Sequence, residues 1–209
     1  QKVDSEKLFE VVKSTQEKFS VPVFSTDTGY SSAGIDLGSN YFRINKKVNV
    51  AMLIGDGVSS YEAGEVWHLL DTRVHIPLTK IRLNQFNRTS LDKYTTLVMV
   101  SGTYNQISEQ GIKKIKDWVG KGNTLITIGS ASSWAIKKEI VKESLVETKK
   151  DTIFSRKRYI DAREYSGRER IGGSILKADL DLTHPLAFGY RDKSIPVYKN
   201  NNVFLNKSK

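Results

Sequence analysis

Apolar residues recur along this chain with two different periods. From 4 to 19 the spacing is helical: Leu8, Val11, Val12, Thr15 and Phe19 form one stripe, and Asp4 or Ser5 can cap its start. "VPVFS" (21–25) reads as a short strand, Thr26 to Asn40 as a loop rich in Gly, Ser, Asp and Thr, and "YFRI" (41–44) as a brief strand. From residue 48 continuous apolar runs alternate with amphipathic stretches. "VNVAMLIG" (48–55) predicts a buried strand. Tyr61–Arg73 predicts a helix with Ala63, Val66, Trp67 and Leu70 facing inward. "HIPLTKIRL" (75–83) and "TTLVMVSG" (95–102) predict two more strands. Ser108 caps a helix whose apolar face is Ile112, Ile115, Trp118 and Val119 and which Gly120 and Gly122 end. "TLITIG" (124–129) is a further buried strand, followed by a helix over about 133–141. Beyond Lys149 the pattern loosens, and "DTIFSRKRYIDA" and "GGSILKADLD" predict extended segments forming a hairpin added to the sheet.

Strands this apolar, joined by helices through short glycine turns, predict a mostly parallel sheet with helices on both faces: an α/β, flavodoxin-like, doubly wound fold. Residues 1–45 are expected to form an N-terminal helix, strand and loop, and residues 46–209 the α/β domain. The chain stops at "NNVFLNKSK", just after an apolar cluster, which reads as a domain truncated at its C-terminus.

In such folds ligands bind beyond the carboxyl ends of the strands, so the loops Gly55–Tyr61, Gly102–Gln106 and Gly129–Trp134 are the candidate site. In the first, Gly55 and Gly57 match the opening of a dinucleotide fingerprint, but Ser60 stands at the third glycine, which predicts a tight turn and no nucleotide. The third, "LITIGSASSWAI", has the form of a nucleophile elbow, a sharp strand-to-helix turn that exposes one side chain beside helix-start amides. In the cysteine version the nucleophile sits two residues after the strand-ending glycine. That position is Ala131, and the neighbouring Ser130, Ser132 and Ser133 do not make G-x-S-x-G. Of the three histidines, His68 and His75 read as structural, and His184 as a turn residue ahead of Pro185. Glu65, His68 and Asp71 share a helical neighbourhood, but a zinc site needs three or four converging ligands and the sequence offers no completing one.

A 38% hydrophobic fraction supports a real core, and no apolar run is long enough to span a membrane. The absence of cysteine removes disulfides, thiolate zinc sites and cysteine nucleophiles together. The net charge of +10 raises nucleic acid as a partner. Between Lys137 and Arg170, however, Glu139, Glu143, Glu147, Asp151, Asp161, Glu164 and Glu169 are threaded through the basic residues, which describes a solvated mixed-charge surface and not a nucleic-acid face.

"GDGVSSYEAGEVWHLLDTR", "VMVSGTYNQIS" and "GNTLITIGSASSWAI", with "IDLGSNYFR" and "THPLAFGY", resemble the class I glutamine amidotransferase-like domain found C-terminal to the catalytic domain of large bacterial zinc carboxypeptidases. The resemblance runs from about Val21 to Val203. It implies the flavodoxin-like sheet and a parent metallocarboxypeptidase that is periplasmic or secreted, with zinc held in a catalytic domain outside these residues. Ala131 stands where amidotransferases carry cysteine, and His184-Pro185 is followed by Leu186 where the family has an acid. The fragment is therefore expected to be a non-catalytic accessory domain without cofactor or metal of its own. Its expected partners are the upstream peptidase domain, a second copy, or a carboxylate-bearing small ligand at a vestigial pocket of Asp56, Ser59, Gly102, Thr103, Ser130 and Ala131. The rivals are a freestanding hydrolase using Ser130 or Ser132 with His184, and a basic binding or scaffold domain.

Overall fold

The computed structural model describes residues 4–42, 47–147, 158–168 and 171–207. The chain forms two compact units, Gln1–Lys47 and Val48–Lys209. In the first, α1 (Ser5–Phe19) starts where the Asp4 carboxylate accepts from the Glu6 amide at 3.1 Å and stops at Ser20, whose φ is 52°. Its predicted stripe faces solvent, for α1 buries no residue. The strand expected at 21–25 is irregular, since Pro22 offers no N–H to a ladder and no strand lies beside it. Residues 26–40 are turns as expected. Tyr41 is also in a turn, while Arg43 and Ile44 of the last expected strand lie outside the described residues.

The second unit is an α/β sheet of four parallel strands: β1 (Val50–Ile54), β2 (Leu78–Arg82), β3 (Thr96–Met99) and β4 (Thr124–Thr127), in the order β2-β1-β3-β4. Side chains alternate across a strand, so β1 feeds two separate cores. Ala51 and Leu53 join Leu97, Met99 and the inner face of α3 (Glu109–Gly120), namely Ile112, Ile115 and Trp118. Val50 and Met52 join Val98, Val100 and α2 (Ser60–His68) through Ala63 and Val66. Each fully buried large side chain contributes roughly 1.5–3 kcal/mol, which is why β1 and β3 read so clearly as apolar runs. Ser108 caps α3 as expected, accepting from the Gly111 amide at 3.2 Å.

Several boundaries differ from the expectation. The helix begun at Ser60 changes to a π turn at Leu69–Arg73. Trp67 is 43% exposed and lies under the Lys80 ammonium, 4.0 Å from its ring centre, instead of in the core. A 3-10 segment, Leu83–Arg88, follows β2 and buries Leu83 and Phe86. The last helix of the sheet layer, α4 (Ser130–Lys137), begins three residues before the predicted start, because the turn at Gly129 sets it. Ile126 and Ile128 remain 43% and 38% exposed on the α2 side of the sheet.

Of the segment expected to be extended at 151–162, residues 151–157 lie outside the described residues. Tyr159–Asp161 is a 3-10 turn leading into α5 (Ala162–Arg168). β5 (Ser174–Asp179) and β6 (Ser194–Lys199) pair antiparallel as a hairpin, but as their own two-stranded sheet and not as an addition to the parallel one. An interior parallel strand needs two apolar faces, and these strands bury no residue.

Candidate functional site

The carboxyl ends of β1, β3 and β4 carry the three glycine turns. After β1, the chain reverses through Gly55 and Gly57, with the Val58 amide donating to the Gly55 carbonyl at 2.9 Å. The loop is then stitched to the one after β3: Thr103 N donates to Gly57 O at 2.7 Å, Ser59 N donates to Ser101 O at 2.8 Å, and Val58 bridges Gly102. A Cβ at Gly102 would stand 2.7 Å from the Gly57 carbonyl oxygen, so glycine permits this close approach. Gly55-Asp56-Gly57 thus serves a loop-to-loop contact.

The elbow-like turn has its unusual residue at Gly129, with φ 56° and ψ −125°. A Cβ on Gly129 would fall 2.1 Å from Ser101 Oγ, inside any allowed contact, so this turn has no room for a side chain at its tip. Ala131 is fully buried and belongs to the core of the α3 side, so it does not line a loop surface. Ser130 Oγ accepts from the Gly102 amide at 2.9 Å and reaches the Gly102 carbonyl at 3.3 Å. Ser132 Oγ is paired with Thr127 Oγ1 at 3.0 Å and Thr127 O at 3.1 Å. His184 uses Nδ1 to accept from the Leu186 amide at 3.1 Å, capping a short 3-10 turn.

The structure therefore brings together Gly102, Thr103, Ser130 and the loop of Asp56 and Ser59, and separates Ala131 from them. Ser59 caps α2 by accepting from Glu62 N at 3.4 Å, and the Asp56 carbonyl accepts from Gln106 at 3.3 Å. A cavity of about 570 Å³ opens on the α2 side, lined by Asp56 and Ser59 with Met52, Ala63, Trp67 and Lys80, and not by Gly102, Thr103, Ser130 or Ala131. Among the described residues no group of three or more His, Cys, Asp or Glu could hold a metal ion, and no helix is long and apolar enough to cross a membrane.

Two residues of the site escaped the sequence reading, Glu62 and Ser101. Glu62 Oε2 accepts from the Ser101 amide at 2.8 Å across the tops of β1 and β3. The signal was the S-x-x-E spacing of Ser59 and Glu62, the pattern of a capping box, in which the acid returns to the amide of the cap residue. Here the box is opened and Ser101 inserted: its carbonyl takes the Ser59 amide, and its own amide goes to Glu62. Nearby, Tyr104 Oη donates to Val100 O at 2.5 Å, and burial, then the charge of Glu62, push its phenol well above the ordinary range.

No protein-family model and no curated protein matches this chain.

Proposed function

We propose that this chain is a non-catalytic accessory domain of glutamine amidotransferase-like, flavodoxin-like type, the companion of an exported bacterial zinc carboxypeptidase domain. The parallel order β2-β1-β3-β4 is consistent with the flavodoxin-like class. The observation that carries the non-catalytic reading is the turn itself: Ala131, the position expected for a nucleophile, is a fully buried alanine, and at Gly129, the tip of the turn, any Cβ would collide with Ser101 Oγ at 2.1 Å. Catalysis at such a turn needs an exposed nucleophile with a base in reach. The hydroxyls of Ser130 and Ser132 are instead bonded to the chain itself, and the Nδ1 of His184 is taken by a backbone amide.

The peptidase parentage rests on the sequence resemblance alone, and zinc belongs to that catalytic domain. Within the accessory role, packing against the peptidase or a second copy is favoured over ligand binding, because the amides at the turn already have acceptors. Two measurements test this reading. A fluorophosphonate probe leaves every serine unlabelled, and a labelled Ser130 or Ser132 would establish the rival hydrolase. Sequencing the reading frame upstream of Gln1 is expected to find His-x-x-Glu with a distant histidine; a start codon there instead would remove the carboxypeptidase assignment.

A further inference from the structure

On the α2 side of the sheet, β2 breaks the apolar pattern of its neighbour. In the parallel register Leu78 stands beside Val50 and Lys80 beside Met52, so all four side chains point to the face that α2 covers. Val50, Met52 and Leu78 join the core there, but Lys80 brings an ammonium to the same face. That ammonium lies 4.0 Å from the Trp67 ring centre and, among the described residues, takes part in no ion pair. The pair lines the cavity of about 570 Å³ together with Ile54 and the buried Met52 and Ala63.

A second, separate observation concerns the space itself. Gly64 lines the same cavity from the interior of α2, where glycine weakens a helix relative to alanine. Its φ is not positive, so the backbone does not demand glycine, and a Cβ there would meet nothing within 4 Å. The helix thus carries no side chain where one would enter the cavity. The charges also give the cavity a polarity. Lys80 is level with Met52 in the middle of β1, whereas Asp56 lines the cavity beyond the carboxyl end of that strand. An anion is drawn to the Lys80 end and repelled from the Asp56 end.

We propose that this cavity binds a small carboxylate with an apolar body. The carboxylate meets the Lys80 ammonium, and the body lies against Met52, Ala63 and Trp67 in the space left by Gly64. A volume of this size, mostly apolar with a few placed charges, is that of small-molecule sites. The lining excludes Gly129 and Ser130, so the site is independent of the closed turn, of the serine chemistry tested there and of the peptidase parentage.

The probe is 3-phenylpropanoate, titrated into the full chain while the Trp67 indole N–H resonance and the melting temperature are followed. 3-Phenylpropanol supplies the body without the charge, and acetate the charge without the body. 3-Phenylpropanoate shifts the Trp67 resonance saturably and raises the melting temperature, and each control binds roughly tenfold or more weakly. Lys80→Met keeps an apolar stem and loses the charge, which weakens binding by roughly tenfold or more. Gly64→Leu fills the space and improves the helix, so G64L melts roughly 1–4 °C above wild type and no longer binds. The proposal is overturned if no saturable shift occurs at millimolar probe. Equal binding of either control, or undiminished binding to K80M or G64L, overturns it as well. Should a variant fail to fold, magnetisation transfer from the probe's ring protons to the Met52 methyl in wild type decides, and its absence overturns the proposal.

Discussion

Gly129→Ala is the substitution that most directly probes the closed turn. Two costs add. At φ 56° and ψ −125°, any residue with a side chain occupies a sparsely populated region, at about 1–3 kcal/mol. The new Cβ would also stand 2.1 Å from Ser101 Oγ, so the serine must rotate or the turn must move, an overpacking cost of about 1–3 kcal/mol. Rotation of Ser101 breaks its bond from the Ser130 amide, 3.3 Å in the native turn. The expected loss is about 2–6 kcal/mol, read as a urea midpoint roughly 1–3 M lower. Tryptophan fluorescence reports it, since Trp67, Trp118 and Trp134 all belong to the Val48–Lys209 unit. The two costs are separated by Ser101→Ala. The Ser101 Cβ would be 3.5 Å from the new methyl carbon, an ordinary contact, so only the hydroxyl obstructs. The double variant S101A/G129A should recover the overpacking part and retain the backbone part, giving a coupling energy of about 1 kcal/mol or more. A G129A protein within about 0.5 kcal/mol of wild type, or costs that simply add in the double variant, would refute the closed-turn account.

Two further substitutions test neighbouring contacts. Trp118→Phe removes a buried indole N–H that donates to Leu91 O at 3.0 Å and Tyr94 O at 3.2 Å, and should lower stability by about 1–3 kcal/mol in urea unfolding; no change would show that neither bond contributes. Tyr104→Phe tests the raised phenol. The folded protein keeps this proton above the ordinary value of 10.0, whereas the unfolded chain releases it there. The native state then binds more protons, so stability falls as pH rises past that value. Urea midpoints measured on either side of pH 10 should therefore decline more steeply for wild type than for Y104F, and parallel curves would contradict the assignment.

How much of this was legible beforehand depends on the range of the interaction concerned. The strands β1 and β3 were readable because each residue's burial on an interior parallel strand is written in its own polarity, whereas β4 was legible as a strand but not as the edge strand it is, for it buries no residue and Ile126 is 43% exposed. The cap of α3 at Ser108 was readable because a cap acts within three residues. The C-terminal hairpin was legible as extended chain at Ser174–Asp179, but not as a sheet of its own, and α5 was missed because its seven residues bury nothing and leave no apolar stripe. Trp67 had the period of a core residue, yet it is 43% exposed and lies under Lys80 of β2, a contact between elements that no local period specifies.

The turns show the same division at the site. From sequence alone came the chemistry available: no cysteine at the elbow, serines around it, glycines at the ends of β1, β3 and β4, and the absence of a dinucleotide or phosphate-loop pattern. Only the tertiary structure decided that Gly129 is the tip of the turn, that Ala131 is buried in the core, and that Ser130 and Ser132 are engaged by their own backbone. The bond from Ser101 to Glu62 joins residues 39 positions apart, and the one from Gly102 to Ser130 spans 28. Such contacts exist because parallel pairing sets the ends of β1, β3 and β4 side by side, and hydrophobic periodicity describes each strand's faces without specifying its neighbours.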